Sequence, residues 1–297
     1  MFNKYRGEFY KRYTTARNHF MKNPNQLICL ENYLSIILYN LIKNNIQEIK
    51  RDYDEANYLF PFWQNYPPDD RGRQPKGDQF PWIEIGEHAI GAKLPRLLEK
   101  EFKIRDSSIP TGSDQRFVIS NPKISKITSG YTNSAWLFID IKSVGPRDDQ
   151  PHTVMSHNQI SGDGKWFSPG KGIQNSIIKA TGTRRSHDFH CSVPPIYILS
   201  DGTIAPVVIL VIKPVYRMLS LEDTKNDKGQ PLGRITILSI PNGILLLKNP
   251  NYLKMYPNLF FPGKDDKEKN PLKVRCRVSF GLLQKIDKWR VKELSIP

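Results

Sequence analysis

Asp140-Ile141-Lys142 ends an otherwise apolar run that begins at Ser134. In an extended strand the side-chain period is two. Asp140 and Lys142 therefore leave one face together, while Ile141 points into the opposite layer and leaves its carbonyl near the strand end. Twenty-five residues lie between this pair and Asp114, which stands just before another predicted strand, Arg116 to Ser120. Pairing these two strands as neighbours would bring the carboxylates together. Asp114, Asp140 and the Ile141 carbonyl would then form a hard oxygen site suited to Mg²⁺. Such an ion polarises a phosphoryl oxygen and acidifies a bound water, while the Lys142 ammonium orients that water and offsets charge in the transition state. The chemistry is phosphodiester hydrolysis, with Asp114, Asp140 and Lys142 as the catalytic centre. A plain strand-end ion pair has the same Asp-x-Lys sequence; the apolar strand, the upstream acid and the charge of the chain favour the metal site.

That charge is large. Lysine and arginine number 44 against 29 acidic residues, a formal net charge of +15 over 297 residues. A folded chain so unbalanced points to a polyanionic partner, because each phosphate neutralised releases condensed counterions. The three cysteines, Cys29, Cys191 and Cys276, are widely spaced and read as reduced thiols. The early basic residues Lys4, Arg6, Lys11, Arg12 and Arg17 are followed by no apolar signal core, and no stretch reaches membrane-spanning length. The expectation is a soluble cytoplasmic protein. His187-Asp-Phe-His190-Cys191 lacks a fourth zinc ligand, and no GxxxxGK(S/T) or GxGxxG motif calls for a nucleotide cofactor.

The elements that must position the acids follow from periodicity. Leu27, Leu30, Leu34, Ile37, Leu38, Leu41 and Ile46 predict one long amphipathic helix from Pro24 to about Arg51. The segment to Pro81 reads as an extended loop carrying Arg71, Arg73 and Lys76, and a second helix is expected from Ile83 to Phe102. Ser134 to Lys142 is apolar on both faces until Asp140, as a central strand covered on each side should be. Pro195–Leu199 and Ile204–Ile212 flank a Ser-Asp-Gly-Thr hairpin turn. Further strands are expected at Arg234–Ile240, Ile244–Leu247 and Leu272–Phe280, with a terminal helix near Leu282–Leu294. The sum is a single α/β domain over residues 1–297, a mixed central sheet flanked by helices, with an N-terminal helical part and a C-terminal recognition part.

Asp114 followed by Asp140-Ile-Lys142 resembles the catalytic signature of the type II restriction endonucleases of the PD-(D/E)xK superfamily, and the resemblance runs through the whole chain. It departs at Ser113, which stands where the motif has proline, a residue that supplies no metal ligand. Many members also carry an acid on a preceding helix. Glu87 is the candidate, with Glu84 its rival, and solvation at the surface is the preferred reading of both.

Arg275 and Arg277 alternate with Val274, Cys276 and Val278, so both guanidinium groups leave one face of a strand, and arginine forks match guanine O6 and N7. Lys264 suits guanine, while Asp266 and Asp148 suit the cytosine amino group. The resemblance implies that Asp148, Lys264, Asp266, Arg275 and Arg277 recognise a G·C-rich half-site in double-stranded DNA. It further implies an interrupted palindrome, a homodimer, Mg²⁺ dependence and cleavage leaving 5′-phosphates and 3′ extensions. Arg71, Arg73 and Lys76 are candidate phosphate clamps. The alternatives are a dimeric DNA-binding regulator without catalysis and a structure-specific repair nuclease.

Overall fold

The computed structural model describes residues 2–58, 86–107, 111–145, 148–168, 170–183, 186–217, 231–263 and 274–296. Three helices open the chain: α1 (Phe2–Lys22), α2 (Pro24–Asn44) and α3 (Ile46–Tyr58). After a π-helical turn at Glu87–Gly91 and a short helix at Leu94–Leu98 come β1 (Lys103–Asp106), β2 (Gln115–Ser120) and β3 (Ser134–Ile141). β4 (His152–Met155) leads into two small hairpins, β5 (Lys165–Trp166) with β6 (Ile173–Gln174) and β7 (Ile178–Thr181) with β8 (Ser186–Phe189). β9 (Ile196–Ile198), β10 (Ile204–Tyr216) and β11 (Leu232–Ile240) follow, then β12 (Phe260–Pro262), β13 (Cys276–Ser279) and β14 (Val291–Ser295).

Among the described residues the main sheet runs β1-β2-β3-β10-β11-β14, with β9 added alongside β10. β3 lies between antiparallel β2 and parallel β10, so the sheet is mixed. All eight residues of β3 are buried. Its odd-numbered residues Leu137, Ile139 and Ile141 pack with Leu30, Leu34, Leu38 and Leu41 of α2. Trp136 and Phe138 face the other layer, where α1 contributes Phe20 and the small sheet β12-β13-β4 contributes Phe260 and Val278. Each such fully buried side chain contributes about 1.5–3 kcal/mol relative to exposure, which is why apolar residues on both faces of β3 specify a central position.

Several expectations need correction. The helix expected from Pro24 to Arg51 is two helices, broken at Asn45, whose side-chain amide donates to the Leu41 carbonyl at 2.7 Å. The helix expected over 83–102 is reduced, among the described residues, to the turn at Glu87–Gly91 and to Leu94–Leu98, restarted around Pro95. Ile244–Leu247, expected as a strand, lies in the helix Gly243–Leu247. Asn242 caps it by accepting the Ile244 N–H at 3.0 Å, and any side chain at Gly243 would collide with the Gly162 backbone. Ile244, Leu245 and Leu246 are all buried, and a short all-apolar run cannot be told from a strand by periodicity. The terminal helix stops at Ile286, Asp287 is extended, and Val291–Ser295 forms the edge strand β14 against β11. Arg234–Ile240 falls within β11 and the hairpin around Asp201 joins β9 to β10 as expected.

Candidate active site

The β2–β3 register pairs Gln115 with Ile139, which places Asp114 opposite Asp140 at the end of the ladder. Asp114 is half-buried, and its Oδ2 accepts the Ile141 N–H at 2.5 Å. The next amide, Lys142 N–H, turns the other way and donates to Ile212 O of β10 at 2.8 Å. By this alternation the Ile141 carbonyl shares the side on which Asp114 lies. Lys142 and Asp140 leave the same face as expected: Lys142 Nζ is 2.9 Å from Asp140 Oδ2 and 3.2 Å from Oδ1.

Asp140 is fully buried, 0% exposed, at the end of an apolar strand. Burial pushes its pKa up to about 6; the Lys142 ammonium opposes the shift, and the negative charges of Asp114 and Glu87 add to it. Glu87 is half-buried on the π-helical turn, and its charge adds, as the smallest contribution, to the rise at Asp140. That turn is carried against the strand end, because Gly91 approaches Ile141 and Gln115 more closely than a side chain there would comfortably allow. Glu84 lies outside the described residues.

The donor set fits a hard divalent cation. Two carboxylates lie side by side with a carbonyl on the same edge, and Asp140 Oδ2 is buried with no aligned hydrogen bond, 2.9 Å from the Lys142 ammonium. Among the described residues no three His, Cys, Asp or Glu side chains are grouped to hold a metal.

Two residues at this site were missed from sequence. Gln159, in the 3₁₀ turn His157–Gln159, donates from Nε2 to Asp140 Oδ1 at 2.6 Å and to Gly112 O at 2.8 Å. Ser156-x-x-Gln159 is a capping-box pattern, which signals the turn but not its distant contact. Lys213 is 2% exposed in the apolar strand β10, one residue beyond the Ile212–Ile141 pair and hence beside Lys142. Its ammonium donates to Gln150 O at 2.7 Å and His152 O at 3.3 Å, lies 3.4 Å from Asp149, and so holds the turn that follows the candidate catalytic strand. A lone lysine within β10 was its visible signal.

Asp148 is exposed in that same turn. The turn leads into β4, whose Val154 pairs with Arg277 of β13. Arg275 is exposed and Arg277 half-buried on one face of this segment, with Val274, Cys276 and Val278 buried on the other. Arg277 Nη1 donates to Pro262 O at 3.3 Å and lines an open recess with Thr181, Asn258, Phe261 and Ser279. Lys264, Asp266, Arg71, Arg73 and Lys76 lie outside the described residues. The three cysteines are free, and no described helix is long and apolar enough to cross a membrane.

A mixed sheet with a paired-carboxylate and lysine cluster at the end of its central strand is the frame of a restriction-endonuclease-like nuclease. The family model for restriction endonuclease BglI matches residues 8–294, and the chain belongs to that family. It is 47% identical over 290 residues to the type II restriction enzyme BglI of Bacillus subtilis, covering 96% of each chain. The crystal structure of BglI bound to its DNA recognition sequence matches with a TM-score of 0.90 and 46% identity over 99% of both chains. The tetrameric restriction endonuclease SfiI bound to cognate DNA shares the fold, with a TM-score of 0.57 at 16% identity over 91% of this chain and 84% of that one.

Proposed function

We propose that this protein is a type II site-specific deoxyribonuclease making Mg²⁺-dependent double-strand cuts at an interrupted, G·C-rich palindromic site, leaving 5′-phosphates and 3′ extensions. The observation that carries this reading is the placement of Asp114 beside Asp140, with Lys142 on the same face, in a chain of a restriction endonuclease family. DNA as substrate is supported by the solved relative, which is bound to its recognition sequence, and by the net charge of +15.

Asp114, Asp140 and the Ile141 carbonyl would hold the metal. When bound, Mg²⁺ supplies Lewis acidity at the phosphoryl oxygen and a more acidic water. Asp140 would serve as a ligand in its ionised form. Lys142 orients the attacking water and offsets charge on the phosphoryl group. Asp148, Lys264, Asp266, Arg275 and Arg277 read the half-site. The chain works as one endonuclease domain in a cytoplasmic homodimer, because two-fold protein symmetry matches an inverted repeat.

The test is to incubate the protein with plasmid and Mg²⁺ and to sequence the ends of the products. Discrete fragments with 3′ extensions at one interrupted palindrome are expected, with none from Asp140→Ala, which should still bind the site. Ragged or structure-limited products would favour a repair nuclease, and retarded but intact DNA a non-catalytic regulator.

A further inference from the structure

Gln159 is buried, and every hydrogen-bonding group of its carboxamide is used. Oε1 accepts the Ser156 N–H at 2.8 Å, and Nε2 donates to Asp140 Oδ1 at 2.6 Å and to Gly112 O at 2.8 Å. The Ser156 amide can only donate, which fixes which end of the carboxamide carries the oxygen. The same turn grips the segment before Asp114 a second time, since Gly112 N–H donates to Asn158 O at 3.1 Å. Gly112 runs so close to the Asn158 side chain that any side chain at position 112 would collide with it. One carboxamide therefore spans the two chain segments that supply the two carboxylates. It sits at the far end of β4 from the turn clamped by Lys213.

We infer that Gln159 is a positioning residue of the cleavage centre, tying the Asp140 carboxylate to the Gly112–Asp114 segment so that the two acids are held at a separation that accepts one divalent ion. The inference rests on the proposed metal-dependent reading of this site. Without Gln159, Asp140 Oδ1 would face only Lys142, and Gly112 O would lose its buried donor. Either change lets the two acids drift apart before a metal arrives, and loss of such an outer partner typically costs about 10–100-fold in metal affinity or activity.

The test measures Ca²⁺ binding by calorimetry on the protein with cognate DNA, alongside metal-free DNA affinity and the thermal midpoint. The proteins compared are wild type, Gln159→Met, Gln159→Asn, Ser156→Ala and Asp140→Ala. Gln159→Met removes all three bonds, and Gln159→Asn keeps a polar side chain too short to span both acceptors, which guards against a folding failure. Both are expected to lose about tenfold or more in metal affinity with metal-free DNA binding intact. Ser156→Ala loosens the other half of the capping box and should keep metal affinity. Wild-type metal affinity in both Gln159 variants would overturn the positioning role, as would an equal loss in Ser156→Ala, which would assign the effect to the turn. Equal metal binding by wild type and Asp140→Ala would instead remove the metal-site reading itself.

Discussion

Asp114 lies opposite Asp140 across the β2–β3 ladder yet spends one carboxylate oxygen on the N–H of Ile141, 2.5 Å away. The bond fixes the orientation of the Asp114 carboxylate. Burial raises the Asp140 pKa to about 6, the Lys142 ammonium opposing the shift and the Asp114 and Glu87 charges adding to it. A cation shared by the two carboxylates would offset the cost of ionising a buried Asp140 beside Asp114.

The raised pKa of Asp140 gives a stability signature. Its unfolded carboxyl titrates near ~3.9 and its native one at about 6. Between these values the native state keeps a proton that the unfolded chain has released, so the stabilising contribution is complete below the lower value and is lost as pH rises through 6. Metal-free Asp140→Asn should therefore gain on wild type between pH 4 and pH 8, by up to about 3 kcal/mol. Urea titrations at the two pH values read this directly. An equal difference at both would mean that the native carboxyl titrates normally. At limiting Mg²⁺, wild-type cleavage should rise through the same region, with the midpoint moving to lower pH as Mg²⁺ is raised.

Lys213→Met should free the turn at residues 148–150 from β10. The Gln150 carbonyl loses its buried charged donor, a loss of about 1–3 kcal/mol in denaturant stability. Asp149 keeps its ion pair with Arg234, so the turn should loosen rather than unfold. Because Asp148 belongs to that turn, cognate DNA affinity is expected to fall with it. Unchanged stability and affinity would show that the lysine holds nothing the fold needs.

For Arg277→Ala, binding to cognate DNA should weaken by about 1–3 kcal/mol, with the loss concentrated at one base position in a competition series. Weakening spread evenly over all sequences, with a shallower salt dependence, would make Arg277 a backbone contact instead.

Glu31 and Arg290 form a fully buried ion pair, 2.9 Å between Oε2 and Nη1, and Glu31 Oε1 also accepts the Asn242 N–H at 2.6 Å. They join α2 to the C-terminal segment beneath β14. Glu31→Gln leaves the buried Arg290 charge with Asp287 alone, 3.3 Å away, and should cost up to about 3–5 kcal/mol in urea unfolding. The double variant Glu31→Leu with Arg290→Leu should lose less than the two single changes summed. Strict additivity would deny the coupling.

Much of the frame was legible in residue order. The doubly apolar run before Asp140 called for a central strand, and β3 is one. Alternation of Val274, Cys276 and Val278 with two arginines called for a one-sided strand, and the described part obeys it. Short apolar segments were not legible. Ile244–Leu247 became part of a helix because its apolar run carries no period, and the expected terminal helix gave way at Val291–Ser295 because pairing with β11 overrode local preference. Nothing local in the sequence places the π-helical turn that carries Glu87 against the end of β3.

Local order thus settles what depends on neighbours a few residues apart: the strand period that puts Asp140 and Lys142 on one face, the caps and the charge. Contacts made across long stretches of chain needed the folded arrangement. Lys213 reaching the 148–150 turn, Gln159 reaching Asp140 and Gly112, and Glu31 reaching Arg290 all join segments whose approach is set by sheet register and layer packing. No periodicity encodes such approaches, because the free energy that drives them comes from burying the surrounding apolar surface and not from the polar groups that are thereby brought together.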